Sequence, residues 1–154
     1  MKIAVIDMGT NTFHLLIVEV MGKRFNTIYR EKVAVKIGEK GINDGIILPE
    51  AEERALSALA KFKSQIDTFE VTQVFATATS AIRNASNGKD LVIKIRNQIG
   101  LEVRIITGTE EAEYIYYGVA HALNLGLDHS LIMDIGGGSI EFIIGNENGI
   151  LWKH

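Results

Sequence analysis

The sequence predicts an α/β protein built on a mixed sheet, in the order β-β-β-α-β-α-β-α, followed by the opening hairpin of a second, similar lobe. Three observations predict it. Strand-like runs joined by tight connections open the chain as an antiparallel meander. Strand and helix patterns then alternate beyond Pro49. Finally, the N-terminal pattern of strand, aspartate, tight turn and strand (Ile3-Ala4-Val5-Ile6-Asp7-Met8-Gly9-Thr10-Asn11-Thr12) returns late in the chain. There it reads Leu131-Ile132-Met133-Asp134-Ile135-Gly136-Gly137-Gly138-Ser139-Ile140-Glu141. The expected division is one lobe over residues 1–125 and the start of another over 126–154.

Taken in order, Lys2 to Ile6 is a short buried strand. Thr12 to Val20 is rich in β-branched and aromatic residues, Met21-Gly22-Lys23 is a turn, and Arg24 to Glu31 is a third strand. Val35 to Leu48, with Gly38, Gly41 and Gly45, reads as a loop. Pro49 then suits a first helical position, and Glu50, Glu52 and Glu53 complement the positive end of a helix striped by Ala55, Leu59, Phe62 and Ile66. Val71 to Ala76 is a strand. A polar stretch through Ser80, Asn84, Ser86, Asn87 and Gly88 leads into a helix striped by Leu91, Ile95 and Ile99 and ended by Gly100. Val103 to Ile106 is a strand, and Thr109 is the expected cap of a helix over Glu110 to Leu125. Ala112, Ile115, Tyr116, Val119 and Leu123 form its apolar stripe. Leu131 to Asp134, the glycine turn, Glu141 to Ile144 and a last strand from Ile150 complete the pattern.

The bulk composition narrows the function. A chain of 154 residues with 47% hydrophobic and 23% charged residues has enough apolar surface for one real core. A formal charge of −3 argues against a nucleic-acid module, which would show a basic face. No apolar run approaches the roughly 20 residues that span a bilayer, and no signal-peptide pattern opens the chain. The expectation is a cytoplasmic protein without membrane insertion. With no cysteine, disulfides, thiolate metal sites and a cysteine nucleophile are excluded.

A loop that holds phosphate needs backbone N–H groups turned inward and no side chain in the way. Glycine supplies both, and hydroxyls add donors. Gly9-Thr10-Asn11-Thr12 and Gly136-Gly137-Gly138-Ser139 meet that need. Either one alone reads equally well as a tight hairpin turn. As a pair, each led by a buried strand and an aspartate (Asp7 and Asp134), they read as two loops gripping one polyphosphate. Asp134 and Glu141 lie seven residues apart across the hairpin and can point into one cleft, although Glu141 also suits a solvated strand position. Carboxylates beside a polyphosphate suit Mg²⁺, a hard cation that takes oxygen ligands.

These two segments resemble the phosphate motifs of the exopolyphosphatase / guanosine pentaphosphate phosphohydrolase family, within the actin-like ATPase superfamily. Three further matches lie between them in the family's order. They are Val35-Lys36-Ile37-Gly38-Glu39, Ala78-Thr79-Ser80-Ala81-Ile82-Arg83-Asn84-Ala85-Ser86-Asn87, and Gly108-Thr109-Glu110-Glu111-Ala112. The resemblance covers essentially the whole chain and implies an actin-like, ribonuclease H-like fold. The central motifs set it apart from actin-like kinases and chaperones. Family members continue well beyond this length, so the expectation is a fragment, or a chain whose remaining lobe is a separate entity.

What the resemblance implies about chemistry is specific. Hydrolysis of a phosphoanhydride needs a positioned water, a group that orients or deprotonates it, and positive charge against the phosphates. The family's catalytic glutamate is the second of its Glu-Glu pair, which matches Glu111. Unaided, Glu110, Glu111 and Glu113 read as acidic residues complementing a helix N-terminus. Arg83 unaided is a solvated arginine; by resemblance its fork holds phosphate. Lys36 stands where the family commonly has arginine and keeps the charge without the fork. Thr10 and Thr12 replace frequent serines and retain both hydroxyls.

By the same resemblance, Asp134 and Glu141 belong to the Mg²⁺ region, with Asp7 a water-mediated third partner. His14 alternates with Leu16 and Val18 as a satisfied, partly buried side chain and is assigned no chemistry. The implied activity is release of terminal phosphate from inorganic polyphosphate or guanosine pentaphosphate, by a possible homodimer of the full-length protein. The competing reading is a non-catalytic actin-like nucleotide-binding module, in which Glu111 would have no special role.

Overall fold

In a computed structural model, which describes residues 1–22 and 24–154, the chain divides into two compact units, Met1–Ile105 and Ile106–His154. Of the turn expected at Met21-Gly22-Lys23, Lys23 lies outside the described residues; Gly22 takes the left-handed conformation a tight turn needs, with φ 63°.

The first unit holds a five-stranded sheet in the order β3-β2-β1-β4-β5. Its strands are β1 (Lys2–Met8), β2 (Thr12–Met21), β3 (Arg24–Ala34), β4 (Gln73–Ala78) and β5 (Val103–Ile105). The meander pairs are antiparallel, whereas β1–β4 and β4–β5 are parallel, giving the expected mixed sheet. Alternation along the strands sends Ala4, Ile6 and Met8 of β1 and Phe13, Leu15 and Ile17 of β2 into the core. Helix α1 (Pro49–Thr68) answers with Ala51, Ala55, Ala58, Leu59, Phe62 and Ile66, and helix α3 (Gly88–Ile99) with Leu91 and Ile95. Alanines on both the sheet and α1 let the layers approach closely, around Phe62 and Phe13 as the large fillers. Truncating a buried phenylalanine of this kind costs about 3–5 kcal/mol.

Both long helices share the face carrying Ala4 and Ile6, while Val5 and Phe75 on the other face stay exposed.

Local differences have local causes. The polar stretch after β4 contains a short helix, α2 (Ser80–Asn84), too brief to show an apolar period. The glycine-rich segment before α1 holds a single 3₁₀ turn at Ile42–Asp44. Strand β3 runs three residues beyond the expected Glu31, to Ala34, because its register with β2 continues to Thr12↔Ala34. Gly100 closes α3 as expected, with φ 75° and its N–H donating to the Arg96 carbonyl.

The second unit is helix α4 (Gly108–Ala122) with a three-stranded antiparallel sheet, β6 (Ser130–Ile135), β7 (Ile140–Asn146) and β8 (Gly149–Lys153). The sequence places the α4 cap at Thr109; the structure places it at Thr107. The Thr107 hydroxyl accepts from the Glu110 N–H at 3.1 Å, and the Glu110 carboxylate accepts from the Thr107 N–H at 2.8 Å. This reciprocal box satisfies two donors at the open helix end, which Thr109, already inside the first turn, has no means to do. Starting earlier, the helix also ends earlier, and Leu123, expected in its buried stripe, is 62% exposed.

Helix α4, which the sequence groups with the first lobe, packs its Ala112 and Tyr116 against Ile143 of β7. Among the described residues no helix is long and apolar enough to cross a membrane.

Candidate functional site

The first loop is built at the end of β1. The Gly9 N–H donates to the Thr12 carbonyl at 3.1 Å, closing a tight turn between β1 and β2. A Cβ on Gly9 would lie 3.1 Å from that same carbonyl oxygen, so the closure favours glycine. Two other segments meet the loop. The amides of Lys36 and Ile37 donate to the carbonyls of Asn11 and Thr10, at 2.8 and 2.9 Å. The Thr79 amide donates to the Met8 carbonyl at 3.3 Å, which fixes the start of α2 beside the loop and places Arg83 one turn further on. The structure therefore brings Lys36 and the Thr79–Arg83 segment, which carries Arg83, beside Gly9, Thr10, Asn11 and Thr12; of that segment the sequence reading names Arg83 alone as a site residue. Thr10 and Ser80 are buried at 6% and 2% exposure, whereas Lys36 and Asp7 are exposed.

The second loop repeats the first. The Gly136 N–H donates to the Ser139 carbonyl at 3.0 Å, and a Cβ on Gly136 would meet that oxygen at 3.2 Å. Register repeats as well: Asp7 faces His14 across the first hairpin as Asp134 faces Glu141 across the second. His14 thus occupies the counterpart of the Glu141 position. It is half-buried, and its Nε2 lies 3.0 Å from the Thr12 hydroxyl, the satisfied state expected of it. The shared seven-residue spacing from each aspartate was the sequence signal that this position is equivalent in the two loops.

Asp134 and Glu141 are direct cross-strand partners, so their side chains leave the sheet on one face, the face that also carries Ile132 and Ile143. That face is the one α4 covers. The helix runs in the direction of β7. Its Glu113 pairs with Lys153, the register partner of Ile143, and its Tyr116 hydroxyl donates to the Asn146 carbonyl at 2.6 Å. The first turn of α4, with Glu111 at the edge of the packed stripe, therefore lies toward the Glu141 end of the strand.

Glu141 is only 4% exposed, and no hydrogen bond or ion pair engages its carboxylate among the described residues. A groove of about 730 Å³, lined by Tyr116, Tyr117, Asn148 and Lys153, opens at the other end of β7, away from the aspartate hairpin.

Three metal-region residues were expected. Asp134 and Glu141 stand together in the second unit, and Asp7 belongs to the first, where it lines a groove of about 500 Å³ with His14, Arg30 and Lys32. Among the described residues no group of three or more acidic or histidine side chains is gathered closely enough to hold a metal by itself. The Asp134–Glu141 pair by itself suits Mg²⁺, which is usually held through one or two carboxylates, with waters and phosphate oxygens completing its shell. The residue that sequence reasoning passed over is Arg54. Its guanidinium reaches the Lys36 turn through backbone carbonyls, which leave no mark in a side-chain pattern.

A mixed sheet of this order, with an aspartate-led glycine loop in each of two units, defines the actin-like class of phosphate-binding folds. Within that class the chain belongs to the Ppx/GppA phosphatase family, whose model matches residues 16–151. It is similar over 100% of its length to an exopolyphosphatase from Cytophaga hutchinsonii, at 49% identity and a TM-score of 0.98, covering 49% of that chain. It is also similar over 100% of its length to a Ppx/GppA family member from Aquifex aeolicus, at 29% identity and a TM-score of 0.87, covering 50% of that chain. An ethanolamine utilization protein from Carboxydothermus hydrogenoformans shares the fold, at 15% identity and a TM-score of 0.54, with coverage of 100% of this chain and 51% of that one. The chain spans about half the length of these solved structures. The first loop lies outside the family-model match and inside the regions of structural similarity.

Proposed function

We propose that this chain supplies the phosphate-gripping and water-activating part of a phosphoanhydride hydrolase that releases terminal phosphate from inorganic polyphosphate. The carrying observation is the repeated loop: two aspartate-led hairpins closed by the same N–H to carbonyl bond, one of them beside the first turn of α4. The similarity to an exopolyphosphatase supports polyphosphate over guanosine pentaphosphate as the preferred substrate.

In this reading the hydroxyls of Gly9–Thr12 and Gly136–Ser139, and the loop amides beyond the turn-closing Gly9 and Gly136, bind terminal phosphate oxygens, and Lys36 and Arg83 offset their charge. Asp134 and Glu141, with Asp7 through water, would hold Mg²⁺, which supplies charge neutralisation when bound. Glu111 orients the attacking water at the terminal phosphorus and receives or directs its proton. Because phosphoryl transfer leaves the protein mainly positioning and electrostatics to provide, one well-placed carboxylate suffices for that role.

The test is phosphate release by the full-length protein with Mg²⁺, using long-chain polyphosphate, guanosine pentaphosphate and ATP as separate substrates. Glu111→Gln should lower kcat on polyphosphate by about 10²–10⁴-fold with little change in KM. Unchanged turnover in that variant removes Glu111 from the mechanism. ATP binding without phosphate release from any of the three would establish the nucleotide-binding module instead.

A further inference from the structure

We propose that Arg54 is a positioning residue for the first phosphate loop, acting through the Lys36 turn; the proposal rests on the phosphate-binding reading above. Arg54 sits in the second turn of α1. Its Nε donates to the Val35 carbonyl at 2.8 Å, and its Nη2 to the Lys36 carbonyl at 3.0 Å and to Glu39 Oε2 at 3.3 Å. The remaining nitrogen, Nη1, donates to the Glu50 carbonyl at 3.2 Å, tying the fork to its own helix. One rigid group thus holds two successive carbonyls of a turn whose amides, at Lys36 and Ile37, bind the carbonyls of Asn11 and Thr10. Hydrogen bonds run without a gap from α1, through the turn, to the loop.

The turn needs such a brace. Lys36 has φ 49°, a left-handed backbone that a residue with a Cβ adopts only against a steric penalty. Strained conformations of this kind persist where the surroundings over-determine them, and they cluster at ligand-binding sites. A lysine in place of Arg54 lacks the planar fork that spans two carbonyls at once. Arg54 therefore sets where the Lys36 ammonium is presented and how Thr10 and Asn11 are held, without itself touching substrate.

The experiment uses the full-length protein, with steady-state kinetics on polyphosphate, tripolyphosphate binding by calorimetry, and thermal unfolding. Arg54→Lys should raise KM and the tripolyphosphate Kd about tenfold, with kcat within about threefold and the melting temperature nearly unmoved. Arg54→Met should do the same more strongly; if it fails to fold, Arg54→Lys still carries the test. Adding Arg54→Lys to Lys36→Ala should raise KM no further, because the two act as one unit. A lowered melting temperature with unchanged Kd, or additive effects in the double variant, overturns the proposal and leaves Arg54 a structural brace. If the wild-type protein binds tripolyphosphate without hydrolysing polyphosphate, the hydrolase reading fails while the Kd ratios still decide the role of Arg54.

Discussion

At the scale of single residues, Lys36 meets two demands that neither glycine nor alanine satisfies together. It provides a cation beside the first loop and accepts a left-handed backbone. Glycine accepts the backbone freely and lacks the charge. Lys36→Gly should therefore leave unfolding stability within about 1 kcal/mol of wild type while weakening tripolyphosphate binding about tenfold. Lys36→Ala keeps the Cβ and its steric penalty, and should lose affinity with stability close to that of wild type. Chemical denaturation and calorimetry on the same samples separate the two effects, and a large stability loss in Lys36→Gly would contradict the strain assigned here. Legibility at this scale follows where partners lie. The capping box was readable, since Thr107 and Glu110 stand three apart in the sequence, even though Thr109 is the more obvious hydroxyl. The equivalence of His14 and Glu141 was readable from spacing to Asp7 and Asp134. Arg54 was not, because its partners in the turn are the Val35 and Lys36 carbonyls, eighteen or more residues away, and any residue type offers a carbonyl.

Among elements, the seat of α4 on β7 depends on one missing side chain. A Cβ on Gly145 would lie 2.8 Å from Tyr116 Cε2 and 2.9 Å from the Gly149 carbonyl oxygen. Gly145→Ala must displace the tyrosine ring, and with it the bond from its hydroxyl to the Asn146 carbonyl. The expected cost is about 1–3 kcal/mol, confined to the second unit. Amide hydrogen exchange should show faster opening of β7 and β8 and unchanged protection in β1 and β2. Uniform loss across both sheets would show that the two units unfold as one. Periodicity made α1, α3 and α4 legible, because each carries an apolar stripe over three or more turns. It was silent on α2, which is five residues long. It was equally silent on which sheet α4 joins, since an apolar stripe records that a helix is packed and says nothing of its partner.

For the whole molecule, the order of elements was legible because the opening pattern repeats, and the repeat fixed both loops in advance. What the pattern left open was how each sheet is covered. The second sheet turns one face to α4, and on the other leaves Leu131, Met133, Ile135 and Ile140 more than half exposed. A continuous apolar strip on a free face is a site of association in water. The 154-residue chain by itself should bind a hydrophobic dye and self-associate as its concentration rises. Leu131→Lys with Met133→Lys should reduce both while leaving the circular dichroism spectrum intact. Dye binding unaffected by the double variant would place the adhesive surface elsewhere.

That bare face also bears on how the chain comes into being. Every member of the first unit's buried core lies between Ala4 and Leu101, so that core is complete once residue 105 has left the ribosome. The strand bearing Leu131 emerges later, on the order of seconds at ordinary rates of synthesis. A finished lobe is then already attached to a strand that still awaits cover. The sequence of elements is in this sense also a timetable, and its vulnerable interval opens as the second hairpin appears.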